Sequence, residues 1–130
     1  MMYRGDWGDG LENSPPADSA VTTLALAALE AKALGQRGTV DLLALAYSST
    51  DGVGHTFGPL SQEQLDNLLR LDRELGRLME ALDAAVGEDQ WVLALSADHG
   101  VLDLPEARME AGLPAGRLGA AELEAADAAL

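Results

Sequence analysis

Two short apolar runs, Thr39 to Ser48 (TVDLLALAYS) and Trp91 to Ala97 (WVLALSA), constrain this chain more than any other feature. Each is nearly continuous in apolar character and is bounded by turn residues, Gly38 and Asp51-Gly52 for the first and Gly100 beyond the second. That is the pattern of strands covered on both faces. Between them lies an amphipathic segment with a well-marked start. Ser61 and Gln64 have capping-box spacing, and Leu60 and Leu65 are placed to form a hydrophobic staple. Leu65, Leu68, Leu75, Leu78, Met79, Leu82 and Val86 then follow one side of a helix that Gly87 ends. Asp66, Arg70, Asp72, Arg73, Glu74 and Asp83 make a solvated side with occasional ion pairs. Strand, helix and strand in that order predict a parallel, right-handed βαβ unit whose two strands emerge at one edge of a sheet, where open α/β folds place their ligands.

The remaining segments organise around that unit. Residues 1–16, rich in Gly, Asp and Pro and without periodicity, read as an irregular lead-in. Asp18 to Leu34 has the Ala- and Leu-rich pattern of a packing helix, with Gly35 just past its end. Leu104 to Ala111 and Ala120 to Ala128 read as short helices. The expected organisation is therefore α/β, a parallel βαβ unit with flanking helices: a lead-in over 1–16, a domain over 17–118 and a C-terminal helical segment over 119–130. At 130 residues and 48% apolar content the chain is globular and at most one domain. Two parallel strands do not make a full sheet, and such sheets need helices on both faces. Exposed apolar surface and self-association are expected.

Charge narrows the partners. With 22 acidic against 8 basic residues the formal net charge is −14, which gives no long-range attraction for a nucleic acid polymer or an anionic membrane. A phosphate ester would be repelled as well, unless the acids surround cations that invert the local field. The absence of cysteine excludes disulfides and thiolate zinc sites. No apolar run approaches the roughly 18 residues of a membrane span, and Met1 to Asp6 lacks the pattern of a signal peptide.

The chain has two histidines, and each follows one of the two runs with an aspartate close by: Asp51-Gly-Val-Gly-His55 and Asp98-His99-Gly100. Parallel strands would bring both pairs to one sheet edge. Imidazole and carboxylate together suit a zinc ion, and the neighbouring glycines let the backbone turn to aim them. Spacing alone leaves two readings open, a shared metal site or hydrogen-bonded loop residues at strand ends. Ser48, Ser49 and Thr50 offer hydroxyls nearby, but neither histidine is spare to act as their base, and such residues commonly satisfy a strand end.

The run from Thr39 through Asp51-Gly-Val-Gly-His55-Thr-Phe-Gly-Pro59, continued by Arg70-Leu-Asp-Arg and Ser96-Ala-Asp-His-Gly100, resembles the alkaline phosphatase superfamily. Within it the likeness is to PafA-like alkaline phosphatases, relatives of the nucleotide pyrophosphatase/phosphodiesterases. It extends back through Glu30-Ala-Lys-Ala-Leu-Gly35 and forward to Leu113-Pro-Ala-Gly-Arg117. The resemblance implies a partial alkaline-phosphatase-like fold, with two Zn2+ ions at the sheet edge and a Thr or Ser nucleophile that forms a covalent phospho-enzyme. Asp51 and His55 would serve the ion that activates the hydrolytic water and steadies the leaving oxygen. Asp98 and His99 would serve the ion beside the nucleophile.

The same resemblance implies what is unmatched here: the nucleophile, an aspartate before it and a histidine far downstream. No catalytic residue is assigned to this chain. The expectation is a fragment of a metal-dependent phosphatase acting on phosphate esters, inactive alone. A non-catalytic metal-binding or assembly module is the alternative. A periplasmic or secreted location is implied for the full-length parent, while the compartment of this chain is not readable. Gly52, where an aromatic is common, and Pro16-Ala17-Asp18, in place of a Gly-Asn turn, depart from the family pattern without removing a ligand.

Overall fold

The computed structural model describes residues 14–128, which form α1 (Pro15–Lys32), α2 (Ser49–Phe57), α3 (Gln62–Val86), α4 (Pro105–Glu110) and α5 (Ala120–Asp127). The expected lead-in lies mostly outside the described residues. Where it ends, Pro15 and Pro16 open the first helix: their fixed φ suits the first helical turn, and their missing N–H groups lose nothing there. The helix stops at Ala33 in the left-handed region (φ 47°), with Leu34 N–H donating to the Leu29 carbonyl at 3.1 Å to close the end. Gly35, also at positive φ (71°), lies so close to Val86 that an added Cβ would stand 3.0 Å from both of that side chain's γ carbons. The turn after α1 is thereby seated on the end of α3.

The expected βαβ unit is corrected in its strands. Among the described residues no strand is formed, and no backbone hydrogen bond joins residues 40–47 or 91–97 to another segment. The physical reason lies in pairing. An apolar run becomes a strand only when neighbours take up its N–H and C=O groups, and a single parallel pair, without further strands beside it or helices over both faces, is too small to hold its ladder. The first run still shows the period of a strand. Asp41, Leu43, Leu45 and Tyr47 are partly covered while Leu42, Ala44, Ala46 and Ser48 are exposed. One face therefore rests on the helices and the other is open, where the sequence predicted cover on both. The second run is more open still, with Val92 at 95% exposure and Leu95 at 74%.

The helical crossover is confirmed. The Ser61 hydroxyl accepts the Gln64 N–H at 3.1 Å, the expected cap. The return half of a capping box is absent: Ser61 N–H donates to the Gly58 carbonyl, and the Gln64 side chain turns instead to the Thr50 carbonyl at 3.3 Å. Leu60 and Leu65, the expected staple, are both largely exposed. The buried line of α3 also runs differently from its expected apolar side. Leu78 is buried and Leu75, Leu82 and Val86 are partly covered, but over the first two turns Gln64 and Asn67 face inward while Leu65 and Leu68 are exposed.

α1 packs on α3 along Asp18, Thr22, Ala25 and Leu29, a line of i, i+4, i+7 and i+11 positions that starts polar and turns apolar. α2 packs on both. Buried apolar side chains among the described residues are Ala25, Leu29, Val53 and Leu78, a thin core in which the valine and the two leucines each contribute about 1.5–3 kcal/mol when fully covered and the alanine less.

The chain divides after Gly100 into two compact units. The second holds α4 and α5, the two short helices expected there. Within it Arg117 makes a two-pronged ion pair to Glu106 at 2.6 and 2.9 Å, which raises the pKa of Arg117 and lowers that of Glu106 through the shared hydrogen bonds.

Candidate metal centre

Asp51 and His55 are carried by α2. Asp51-Gly52 reads as a turn in sequence, yet it lies inside helical backbone, so the Asp-x-x-x-His spacing becomes an i, i+4 pair on one helix face. His55 Nε2 stands 3.4 Å from Asp51 Oδ1. Asp98 and His99 follow the second apolar run, and His99 Nε2 lies 3.6 Å from Asp98 Oδ2 and 3.9 Å from Asp51 Oδ1. All four predicted residues are therefore brought together, with Asp51 approached by both rings. They meet although the strands expected to align them are not formed.

These separations are longer than the 2.7–3.2 Å of a good N–H···O bond. The gaps within the two pairs, 3.4 and 3.6 Å, are instead near the roughly 3.3 Å that separates two ligands sitting about 2.0–2.1 Å from one tetrahedral zinc, while the 3.9 Å from Asp51 to His99 is longer. The donor types fit such an ion, and their number falls short. Among the described residues no group of three or more His, Asp or Glu side chains is placed to hold one ion. The side chains are open to solvent, from 58% exposure at Asp51 to 90% at Asp98. The cleft of about 370 Å³ lined by Pro15, Pro16, Ser19, Arg70, Arg73 and Glu74 contains none of them.

His99 is the most constrained of the four. Its Nδ1 lies 2.9 Å from the Gly100 carbonyl, so a proton on Nδ1 leaves Nε2 directed at the carboxylates. This is the arrangement by which a backbone carbonyl fixes the tautomer and ring angle of a metal-binding histidine. The Gly100 hydrogen bond, then the charges of Asp98 and Asp51, raise the His99 pKa above the usual 6.5.

The hydroxyls beside the centre are already engaged. Ser49 is fully buried and donates to the Ser14 carbonyl at 2.8 Å. Thr50 Oγ1 accepts from Asn67 Nδ2 at 3.0 Å.

Sequence reasoning reads Gln64 as a capping residue and Asp18 as the start of a helix, leaves Thr22 and Asn67 unremarked, and gives none of these four buried residues the role of holding α2 from behind. The signal was present. On α3 the positions 64, 67, 71, 74, 78 and 82 form one line, and two uncharged amides lead into it where leucines would serve packing alone. Asp18 and Thr22 do the same on α1.

Comparison with known proteins places the chain. Residues 2–114 match the family model described as type I phosphodiesterase / nucleotide pyrophosphatase. Alkaline phosphatase PhoV of Synechococcus elongatus is 42% identical over 108 residues, covering 83% of this chain and 20% of that protein. Alkaline phosphatase PhoK of a Sphingomonas species is 40% identical over 114 residues, 86% of this chain and 20% of the relative. Alkaline phosphatase PafA of Elizabethkingia meningoseptica is 41% identical over 92 residues, 70% of this chain and 17% of the relative. The chain thus spans at most a fifth of the length of these relatives. No solved structure matches it.

Proposed function

The chain belongs to the type I phosphodiesterase / nucleotide pyrophosphatase family, and from that premise we propose that it is one part of a metal-dependent phosphoesterase, contributing Asp51 and His55 to one cation and Asp98 and His99 to a second. The observation that carries this reading is the meeting of both Asp–His pairs at Asp51, each pair spaced as two ligands of one ion would be. Zinc suits the mixed nitrogen and oxygen donors. A divalent cation at either pair would polarise a phosphoryl oxygen and steady charge on the entering and leaving oxygens of a displacement.

The residues of this chain have separable tasks. Asp51 and His55 present their donors from one helical face. The Gly100 carbonyl holds the His99 ring so that Nε2 faces the shared space. The low cover of all four leaves room for an ester, and the acidic surface is tolerable to that ester only where cations offset it. In the whole enzyme a hydroxyl nucleophile would take the phosphoryl group and water would release it. Ser49 and Thr50 are bound up in the packing of α2, so this chain supplies half a site and by itself no nucleophile.

Calorimetric titration with zinc tests the assignment. The wild type is expected to bind, and His55→Ala and His99→Ala each to weaken binding by about tenfold or more; equal binding by all three would remove both histidines from the role. With p-nitrophenyl phosphate and excess zinc, no turnover is expected. Turnover that depends on metal and persists through further purification would show that the chain is complete for catalysis.

The exposed apolar residues of the two unpaired runs favour the second reading, a non-catalytic metal-binding or assembly module, and the same titration separates its assembly form from the first. An assembly part need not lose metal affinity when either histidine is replaced.

A further inference from the structure

The helix that carries Asp51 and His55 begins at a junction built almost wholly of buried polar side chains. Ser48, at its N-cap position, makes no side-chain cap. A carboxylate from another helix stands there instead: Asp18 of α1, 3% exposed, accepts the Ser49 N–H through Oδ1 at 3.4 Å. The α1 helix also holds the chain just before α2, where the Thr22 and Tyr47 hydroxyls lie 3.1 Å apart. From the other side, α3 grips Thr50 twice, Asn67 Nδ2 to its hydroxyl at 3.0 Å and Gln64 Nε2 to its carbonyl at 3.3 Å. Residues 47, 49 and 50, which directly precede Asp51, are therefore held from two helices through side chains of fixed direction.

Packing alone does not call for this arrangement. Asp18 Oδ2, Gln64 Oε1 and Asn67 Oδ1 are all buried without a partner among the described residues, so the junction leaves three acceptors unmet there where leucine and alanine would leave none. No salt bridge to Asp18 is formed among the described residues. What faces its carboxylate is the N-terminus of α2, whose free N–H groups and dipole favour a negative charge. A rotation of α2 about its own axis would swing Asp51 and His55 away from His99. Among the groups that oppose such a rotation, Asp18 and Asn67 act on the first turn of α2 itself, with Gln64 beside them.

We propose that Asp18, assisted by Asn67, is a positioning residue for the metal centre: it fixes the start and azimuth of α2 and thereby the direction in which Asp51 and His55 present their donor atoms. This rests on the metal reading given above, and it makes Asp18 the counterpart, on the protein side, of an outer-shell ligand partner.

Cobalt(II) titration of the whole chain, followed by visible absorption and by far-ultraviolet circular dichroism, tests it. The wild type gives a d–d band, which His55→Ala weakens. Asp18→Asn keeps an acceptor oxygen at the Ser49 N–H and is expected to stay within about threefold of wild-type affinity, whereas Asp18→Ala falls by about tenfold or more with a changed band and unchanged helix content. A purely structural role would lower the melting point and leave the band alone. Should Asp18→Ala lose helix signal, Asn67→Leu carries the same test, since it keeps bulk at the junction and removes only the grip on Thr50. Wild-type affinity and band in Asp18→Ala or, in that case, in Asn67→Leu overturn this inference alone, as does an Asp18→Asn as impaired as the alanine variant. A wild type with no cobalt band overturns the metal reading, and this inference with it.

Discussion

His99 is held by one neutral contact and two charged ones, and their signs determine how the centre responds to pH. The Gly100 carbonyl and the carboxylates of Asp98 and Asp51 all favour the protonated ring, so its pKa lies above the ordinary value of 6.5. For folding, a raised histidine pKa is a contribution present in acid and lost as the pH rises through the folded pKa. For metal binding the direction reverses, because a cation needs the neutral ring and must displace the proton. Zinc affinity is therefore expected to fall as the pH drops through a value above 6.5, and His99→Ala is expected to flatten that dependence. Titrations between about pH 5.5 and 8.5 would check this; a wild-type profile as flat as that of the variant would exclude His99 as the competing group. Asp41 shows the opposite sign. The Gly35 N–H, donating at 2.8 Å, and the Arg37 guanidinium hold its carboxyl below the usual range, so what it contributes to the turn after α1 is kept at neutral pH and lost in acid.

At the scale of elements, α3 is the best specified. Its cap is a single hydrogen bond to a serine hydroxyl, and Ser61→Ala is expected to lower stability by about 1 kcal/mol, read as a shift in the urea midpoint of helix signal. A midpoint within error of wild type would show that the Gly58 turn alone fixes the helix start. This helix was legible in sequence because capping, periodicity and a terminal glycine are local signals. α2 was not, because Asp51-Gly52 and Gly54 argue locally against a helix, and the bonds that keep it come from α1 and α3, more than a dozen residues away. The two apolar runs were legible as extended segments and not as unpaired ones, since pairing depends on which neighbours are at hand. The four candidate ligands were legible through composition, there being only two histidines and each having an aspartate beside it. The hydrogen bonds of Asp18, Gln64 and Asn67 were not legible, because amides on the inward line of a helix mark a polar contact without naming its partner.

At the scale of the whole molecule, apolar surface is left uncovered. Val40 and Val92 are essentially fully exposed, Leu42 is at 90% and Leu60 at 83%. Among the described residues no helix is long and apolar enough to cross a membrane, so a bilayer-spanning helix there does not account for that surface. Concentration-dependent self-association is expected in sedimentation velocity. Leu42→Lys with Val92→Lys should move the population toward monomer, because like charges placed on unpaired runs oppose edge pairing. A wild-type chain that sediments as a single monomer across a hundredfold range of concentration, roughly micromolar upward, would show that these side chains find cover within the chain. The high negative charge works against association at low salt and less so at high salt, so adding salt should strengthen it.

The open face of the first apolar run has a consequence for the fate of the chain in concentrated solution. Val40 to Tyr47 has one charged residue, no proline and a row of unclaimed backbone donors and acceptors. Such a segment can stack on copies of itself in register, each layer completing the hydrogen bonding of the one before, and grow into a cross-β fibril. A helical protein would then convert from a stretch of backbone that its helices leave unsatisfied.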